Sequence, residues 1–269
     1  MGDNRLDNET LEERPSGKSG DRRGIQSIEV GGALLQALVR HDAPMILKDL
    51  AREAGMPPAK AHPYLVSFGK LGLIEQDPVT GRYGLGAFAL QMGLSALHGV
   101  NPLRVATPEA ARLSDEIQQN VAVAVWGNHG PTIVSIEECS RQVHVNMRVG
   151  TVMDLLTSAT GRTFAAFLPA RQTTALIEDE FARQALTREQ LEAEFAEIRR
   201  ERLARALGKP IPGINAFTAP VFDHNGHLAL AITAMGPAAS FDPAWDGAVA
   251  TKLRACAKAI SARLGKTEP

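Results

Sequence analysis

The chain has 269 residues, is 44% hydrophobic, and carries 29 Lys and Arg against 30 Asp and Glu, a balance that gives no sign of a polyanionic partner. This length predicts one large or two modest domains. No apolar run approaches the ~20 residues of a membrane span, and the polar N-terminus lacks the hydrophobic stretch of a secretion signal, so we expect neither. Two distant cysteines, Cys139 and Cys256, exclude a disulfide framework and a metal cluster, so we expect a cytoplasmic protein that needs no metal or cofactor.

The first elements in chain order are a polar tail and a helix. Residues 1–23 mix charged and small polar side chains with almost no large apolar ones, which predicts a disordered segment. From Gly24 onward apolar residues recur at helical spacing, and Ser27 stands where an N-cap is expected.

Two further helices and a hairpin follow. A short helix is predicted over residues 46–54, and Gly55 with Pro57 ends it, because glycine suits the position after a helix and proline cannot continue one. A third helix is predicted to reach Leu71. Two short extended runs then flank an Asp-Pro-Val-Thr-Gly turn within residues 72–85, which is typical of a β-hairpin.

These elements predict an α+β chain that begins with a winged helix-turn-helix over residues 24–85. Residues 87–97 are apolar in every direction around a helix, and such a helix must be covered by something. We therefore predict a linker helix over 86–100 that packs against its twin in a dimer, followed by an α/β domain over 101–269.

The pattern of the second domain alternates helices with extended runs. The predicted helices cover 106–119, 157–167, 188–207 and a last one capped by Asp242-Pro243, and the predicted strands cover 121–126, 132–137, 143–149, 216–222 and 228–234. The last two strands flank Asp-His-Asn-Gly, a hairpin turn. Its histidines are more typical of a solvated turn than of a metal site.

Three stretches carry a family resemblance. They are Gly24–Glu29 with 70–74, then Ser-Ala-Thr-Gly-Arg at 158–162, then Ala-Pro-Val-Phe-Asp at 219–223 with 231–237. In this order and spacing the chain resembles the IclR family of bacterial regulators from Gly24 to Leu264. The resemblance implies a GAF-like effector-binding domain, a homodimer or dimer of dimers, no catalytic residues, and a small organic or aromatic acid as ligand.

A winged helix-turn-helix places its third helix in the major groove of double-stranded DNA, where side chains reach bases and phosphates. The candidate DNA-binding residues are Lys60, His62, Tyr64 and Ser67 on the third helix, Lys48 and Arg52 on the second, and Arg82 at the tip of the wing. Two observations weaken this interface. Pro63 interrupts the third helix, which predicts either a kink or a shortened first turn, and residues 24–98 hold six basic and six acidic side chains.

The resemblance maps ligand contacts onto the loop before the second of these stretches and onto the two strands around the hairpin. The candidate effector-binding residues are Met153, Leu155, Leu156, Thr157, Ser158, Asn215, Pro220, Thr233 and Met235. A helix that begins near Ser158 offers backbone N–H groups to a carboxylate. Thr233 and Met235 are two positions apart on one strand and so point to the same face, where Met235 can supply an adaptable apolar wall.

Two other functions remain open from the sequence. The chain can be a metabolite-binding or enzymatic protein whose N-terminal helices serve assembly only, although neither a phosphate-binding glycine loop nor a Gly-x-Ser-x-Gly motif is present. It can also bind DNA constitutively, with a purely structural second domain.

Overall fold

The structure is a computed structural model. It describes residues 24–140, 147–184 and 186–267. The predicted disordered tail, residues 1–23, lies outside this range. The chain divides into two compact units between His98 and Gly99. Across the described part, none of the helices is both long enough and apolar enough to cross a membrane.

The N-terminal unit is the predicted winged helix-turn-helix followed by one more helix. Its elements are α1 (Gln26–His41), α2 (Leu47–Glu53), α3 (Pro58–Lys70), β1 (Ile74–Gln76), β2 (Tyr83–Leu85) and α4 (Ala87–Gly99). The strands β1 and β2 are antiparallel. The core of the unit contains one to three buried side chains from each of the first four elements, chiefly Leu34, Leu38, Leu50, Leu65 and Ile74.

One detail of the first helix differs from expectation. The N-cap of α1 is Ile25, without a side-chain hydrogen bond, and Ser27 lies inside the first turn, so the predicted Ser27 cap is wrong. The turn after α2 is as predicted. Gly55 has φ 68° there, a left-handed conformation that glycine adopts at no steric cost.

The C-terminal unit is built on one antiparallel sheet. Its elements are α5 (Pro102–Ile117), β3 (Asn120–Gly127), β4 (Gly130–Glu137), α6 (Ala159–Phe167), α7 (Ala170–Phe181), α8 (Arg188–Glu201), β5 (Ala204–Leu207), β6 (Ile214–Phe222), β7 (Leu228–Pro237) and α9 (Ala248–Arg263). The strand order is β4-β3-β7-β6-β5. The expected mixed fold, a helix-turn-helix domain joined to an α/β domain, is confirmed.

Helices cover both faces of this sheet because its strands are apolar on both faces. Val121 and Val123 of β3 belong to a core that includes buried residues of α5 and α9. Ala122 and Ala124, which alternate with them, belong to a second core with α6 and α8. The sheet is therefore the middle of three layers.

Three helices in this unit differ clearly from the sequence-based expectation. The helix predicted over 188–207 ends at Glu201, because Arg202 adopts φ 51° and residues from Ala204 pair with β6 as β5. The last helix begins at Ala248 with Gly247 as its N-cap, so the predicted cap by Asp242-Pro243 is wrong. The helix α7 was not predicted at all.

The strand predicted over 143–149 is not observed where it can be checked. Residues 147–149 do not form a strand, and residues 141–146 lie outside the described part of the chain.

Both cysteines are buried. Burial raises the pKa of the Cys256 thiol to about 11, and the nearby carboxylate of Glu109 adds to this effect. The Cys256 thiol is therefore protonated at neutral pH.

Candidate functional site

The helix α3 presents a clear inner and outer face. Ala61 and Leu65 are buried in the core of the N-terminal unit. Lys60, His62 and Ser67 are exposed, with Lys60 and Ser67 on one flank of the helix and His62 on the other. The three side chains therefore stand where a recognition helix offers its contacts to a DNA groove.

Tyr64 is only half-buried and does not point fully outward. A Cβ atom placed on Gly31 of α1 would come within 2.9 Å of the Tyr64 ring and within 2.9 Å of the Phe68 ring. The tyrosine thus helps to pack α3 against α1, and only part of its ring remains accessible to DNA.

Pro63 is accommodated inside α3 without shortening it. The helix begins at Pro58, with Pro57 as N-cap, and continues past Pro63 to Lys70, so the expected shortened first turn is wrong. The proline ring leaves the carbonyl of Ala59 without its helical N–H partner. The Ser67 hydroxyl donates to the Pro63 carbonyl at 2.9 Å, a bond that competes with contacts from Ser67 to DNA.

The second helix supplies two exposed cations, Lys48 and Arg52. Arg52 forms an ion pair with Asp49 one turn earlier, at 3.1 Å. An exposed pair of this kind is weak, so a phosphate can replace the carboxylate at small cost.

The tip of the wing is formed by the turn after β1 and does not include Arg82. Asp77 accepts hydrogen bonds from the backbone N–H of Val79 at 2.7 Å and of Thr80 at 3.0 Å, and these bonds lower the pKa of its carboxyl group. Val79 is 91% exposed at the tip. Arg82 lies behind it, just before β2, where its guanidinium donates to the Pro44 carbonyl at 3.2 Å.

The second candidate site is a small cavity in the C-terminal unit, with a volume of about 40 Å³. It lies among the start of α6, strands β6 and β7, and the loop between β5 and β6. Four of the predicted effector-binding residues line it together, namely Met153, Ser158, Thr233 and Met235. These four residues belong to two of its walls, the loop before α6 and strand β7.

Three other predicted contacts, all in the loop before α6, do not line this cavity. Leu155 and Leu156 are buried in the core beneath α6. Thr157 donates from its hydroxyl to the Asp154 carboxylate at 3.1 Å. These side chains hold the loop in place.

The two predicted contacts on β6 also lie elsewhere. The Asn215 side chain accepts a hydrogen bond from the backbone N–H of Gly208 at 3.2 Å and so anchors the loop between β5 and β6. Pro220 lines a different and larger cavity, next to Phe222. The contacts predicted from the family resemblance therefore lie in more than one place in the C-terminal unit.

Several lining residues were not predicted. They are chiefly Thr160 from α6, Lys209, Pro210 and Ile211 from the loop after β5, and Ile214 at the start of β6. Thr160 belongs to the second resemblance stretch, which could have suggested it. Nothing in the sequence signals the loop residues, because their position depends on the pairing of β5, which was not expected.

A buried chain of three hydroxyl groups forms one end of the cavity. The Thr233 hydroxyl is 2.8 Å from the Thr160 hydroxyl and 2.9 Å from the Thr218 hydroxyl. Thr218 and Thr233 are cross-strand partners of β6 and β7, and all three residues are buried. The sheet and α6 are thus joined by polar bonds at this end of the cavity.

Replacing Thr233 with valine is expected to destabilise the C-terminal unit by about 1–3 kcal/mol, since it leaves the Thr160 and Thr218 hydroxyls without their partner. Thermal unfolding followed by circular dichroism measures the change. The matched control is Thr174→Val, because the exposed Thr174 hydroxyl bonds only to Ala170 of its own helix. A Thr233→Val protein as stable as the control would show that the hydroxyl chain contributes nothing.

The start of α6 explains the sequence of the second resemblance stretch. The Ser158 hydroxyl caps the helix by accepting from the Gly161 N–H at 2.8 Å, and it donates to the Asp154 carbonyl at 2.7 Å. Arg162 is half-buried, and its guanidinium bonds to the Glu194 carboxylate at 3.1 Å and to the Arg205 carbonyl at 2.7 Å. The serine therefore shapes the loop, and the arginine fixes α6 to α8 and β5.

The backbone of this turn can also bind an anion. The first N–H groups of a helix have no partner within the helix and carry the positive end of its dipole. At α6 these are the N–H groups of Ala159 and Thr160, both residues of the cavity wall. Lys209, exposed on the opposite wall, is the one charged side chain among the described lining residues.

Comparison with known protein families finds two matches. Residues 94–262 match the family model described as bacterial transcriptional regulator IclR C-terminal. Residues 27–78 match the one described as the IclR helix-turn-helix domain.

Comparison with individual proteins also finds regulators that are similar to this chain. The glycerol operon regulatory protein of Streptomyces griseus is 34% identical over 257 residues, which are 90% of this chain and 98% of that protein. The transcriptional repressor IclR of Escherichia coli K12 is 24% identical over 220 residues, 79% of this chain and 80% of the repressor. The crystal structure of Pseudomonas aeruginosa HmgR is 38% identical, with a TM-score of 0.86 over 91% of this chain and all of that one.

Proposed function

The chain belongs to the IclR family of bacterial transcriptional regulators, and from this premise we propose that it controls catabolic or metabolic genes in the cytoplasm in response to a small organic or aromatic acid. It is a ligand-responsive DNA-binding regulator and not an enzyme, since its relatives are regulators. Relatives named for the glycerol and acetate operons support the class of target genes.

The proposal that the effector is an acid rests on one observation. The N-terminus of α6 and the Lys209 ammonium both border a cavity whose other walls are apolar side chains such as Met153 and Met235. A carboxylate between the N–H groups of Ala159 and Thr160 and the Lys209 side chain would receive charge-assisted hydrogen bonds from two sides. The apolar body of the ligand would then lie against the methionines.

The cavity has to widen before it can hold such a ligand. Its volume of about 40 Å³ is well below the several hundred Å³ of typical ligand pockets. The loop after β5 is the wall best suited to move, because Gly208 and Gly213 at its ends both have left-handed φ values, 62° and 78°. We propose that the effector displaces this loop, which carries Lys209.

A panel of aliphatic and aromatic carboxylates, each tested against its neutral amide, checks this assignment. An acid that binds the native protein raises its melting temperature, and its amide does not. Lys209→Gln is expected to reduce the rise in melting temperature that the acid causes. Arg171→Gln also removes one positive charge, at an exposed position on α7, and should leave this rise unchanged. If amides and acids bind alike, the proposal of an acidic effector is wrong.

On the DNA side we propose that Lys48, Lys60, His62 and Ser67 contact the operator from α2 and α3. The exposure of all four supports this assignment. Arg52 and Arg82 join them if DNA displaces their present partners, the Asp49 carboxylate and the Pro44 carbonyl. Tyr64 contributes the accessible edge of its ring.

Lys60→Gln is expected to weaken binding to DNA by about tenfold for all sequences, since it removes a charge-assisted phosphate contact. The slope of log affinity against log salt concentration should fall by about 1 per subunit. Fluorescence anisotropy with the DNA upstream of its own gene, at several salt concentrations, measures both quantities.

Arg40→Gln serves as the control, because Arg40 is exposed in the last turn of α1 and lies outside the proposed contact set. Equal slopes for the two variants would remove Lys60 from the interface. A wild-type protein that binds its upstream DNA no better than random DNA would contradict the regulatory function itself.

We also propose that two copies associate through α4. None of its residues is buried, and its apolar side chains Phe88, Leu90, Met92, Leu94 and Leu97 are all exposed. The balanced charge of the N-terminal unit adds a functional reason, because a neutral domain gains little affinity from phosphates and needs two half-sites for tight binding.

A further inference from the structure

A second and much larger cavity lies at the edge of the sheet, with a volume of about 720 Å³. It exists because β5 pairs only with residues 215–218 of β6, so the later residues of β6 pair with β7 on one side and have no strand on the other. The cavity opens between the end of α8 and the face of α9. Its volume falls within the range of pockets for small organic ligands.

The lining of this edge cavity is strongly basic. Four cations contribute to it, namely Arg202, Arg254, Lys258 and Lys266, against the single acid Glu201. That carboxylate is already bonded, to the Arg254 guanidinium at 3.3 Å and to the Arg200 guanidinium at 3.0 Å. Cations therefore outnumber carboxylates four to one among the side chains that line the cavity.

Two of the cations are held over one aromatic ring. The Arg202 guanidinium lies 5.0 Å from the centre of the Phe222 ring, and the Lys266 ammonium lies 4.7 Å from it. Because the two charges cannot be farther apart than the sum of these distances, they lie within about 10 Å of each other. Arg202 reaches this position from a left-handed backbone conformation with φ 51°, which glycine normally occupies at the end of a helix.

The open strand edge itself is not available for pairing with another strand. The backbone N–H of Phe222 donates to the Ser261 hydroxyl at 3.0 Å, and that hydroxyl donates to the Ala257 carbonyl at 2.7 Å. What the cavity offers is an apolar floor made of Pro220, Phe222 and Ala257, with cations around it. This surface suits a compact anion with a flat apolar body.

We propose that the edge cavity is a second ligand site, which binds a small aryl or similarly flat organic dianion. Arg202 and Lys266 hold the charged group beside Phe222, and Lys258 and Arg254 on α9 complete the positive field. The apolar part of the ligand lies on the floor formed by Pro220 and Ala257. This site is distinct from the effector cavity at α6, with which it shares no lining residue.

Calorimetric titration of the full chain with phenyl phosphate, at low salt, tests the proposal. We expect binding with a Kd below about 1 mM, weaker binding of inorganic phosphate, and none of benzyl alcohol. Arg202→Gly combined with Lys266→Gln is expected to weaken phenyl phosphate binding by at least about tenfold. Glycine suits the left-handed position 202, so this variant should fold.

Two controls make the outcome specific. Lys252→Gln makes the same charge change on α9 as a substitution at Lys258 but lies outside the cavity, where its ammonium bonds to the Glu116 carbonyl at 3.4 Å, and binding should be unchanged. Lys209→Gln alters the effector cavity and should also leave binding unchanged.

Four results would overturn the proposal. They are the absence of phenyl phosphate binding, its retention in the double variant, its loss in Lys209→Gln, and a double variant whose mass in solution differs from that of the wild type. The last result would show that another copy of the chain, and not a small anion, occupies the cavity.

Discussion

Gly161→Ala is expected to lower the melting temperature of the C-terminal unit by about 10 °C, which corresponds to about 3 kcal/mol or more for a domain of this size. A Cβ atom at position 161 would lie 1.9 Å from the Asp154 carbonyl oxygen and 2.6 Å from the Leu155 Cα. Both of these are backbone atoms, so rotation of a side chain cannot relieve the overlap.

The loop that would have to yield is held from the other side. The Glu180 carboxylate of α7 accepts hydrogen bonds from the backbone N–H groups of Leu155 at 2.8 Å and Leu156 at 2.9 Å. Moving the loop breaks these bonds or the Ser158 cap. Because the same loop carries Met153 and Ser158 of the effector cavity, the response to effector should be lost together with the stability.

Gly32→Ala is the matched control, since Gly32 is also a helical glycine but has no atom within 4 Å of an added Cβ. Alanine is the better helix former by about 1 kcal/mol, so this change should be neutral or stabilising. Differential scanning calorimetry separates the two results. A Gly161→Ala protein that melts at the wild-type temperature would mean that the loop is free to move.

The N-terminal unit could be predicted well because its signals are local. Apolar residues at helical spacing, Gly55 after α2, and the Asp-Pro-Val-Thr-Gly turn of the wing each act within a few residues of the chain. Tyr64 is a residue whose position these local signals do not predict. Tyr64 was expected to face outward, but Gly31, thirty-three positions earlier, leaves room for its ring against α1, and no local pattern reveals such a contact.

The C-terminal unit shows where local patterns fail. Residues 188–207 look like one charged helix, yet Arg202 takes a left-handed conformation and the next residues pair with β6. This pairing of two consecutive strands decides which side chains border each cavity. It brings the loop with Lys209 to α6 and leaves Pro220 beyond the end of β5, at the edge cavity. The proposed ligand chemistry of both cavities thus depends on a strand that the sequence did not predict.

Replacing Leu90 and Leu94 together with glutamate is expected to convert the protein to a monomer and to lower its affinity for operator DNA by about 100-fold or more. The two residues lie one turn apart on α4 and are 65% and 48% exposed. In the proposed dimer their side chains pack against the partner helix, where two buried carboxylates per chain cannot be tolerated. A monomer holds one half-site only, and its neutral DNA-binding unit gains little from phosphates.

The control places the same charges at two polar residues of the same helix, with Gln91→Glu and Ser95→Glu. This protein should keep the wild-type mass in light scattering and bind operator DNA only slightly less tightly, by the electrostatic effect of the added charges. The comparison separates association from charge. If the Leu90 and Leu94 variant remains a dimer, α4 is not the interface. If it is a monomer that binds operator DNA as tightly as the control, α3 and the wing supply enough affinity alone, and the balanced charge of this unit is no obstacle to binding.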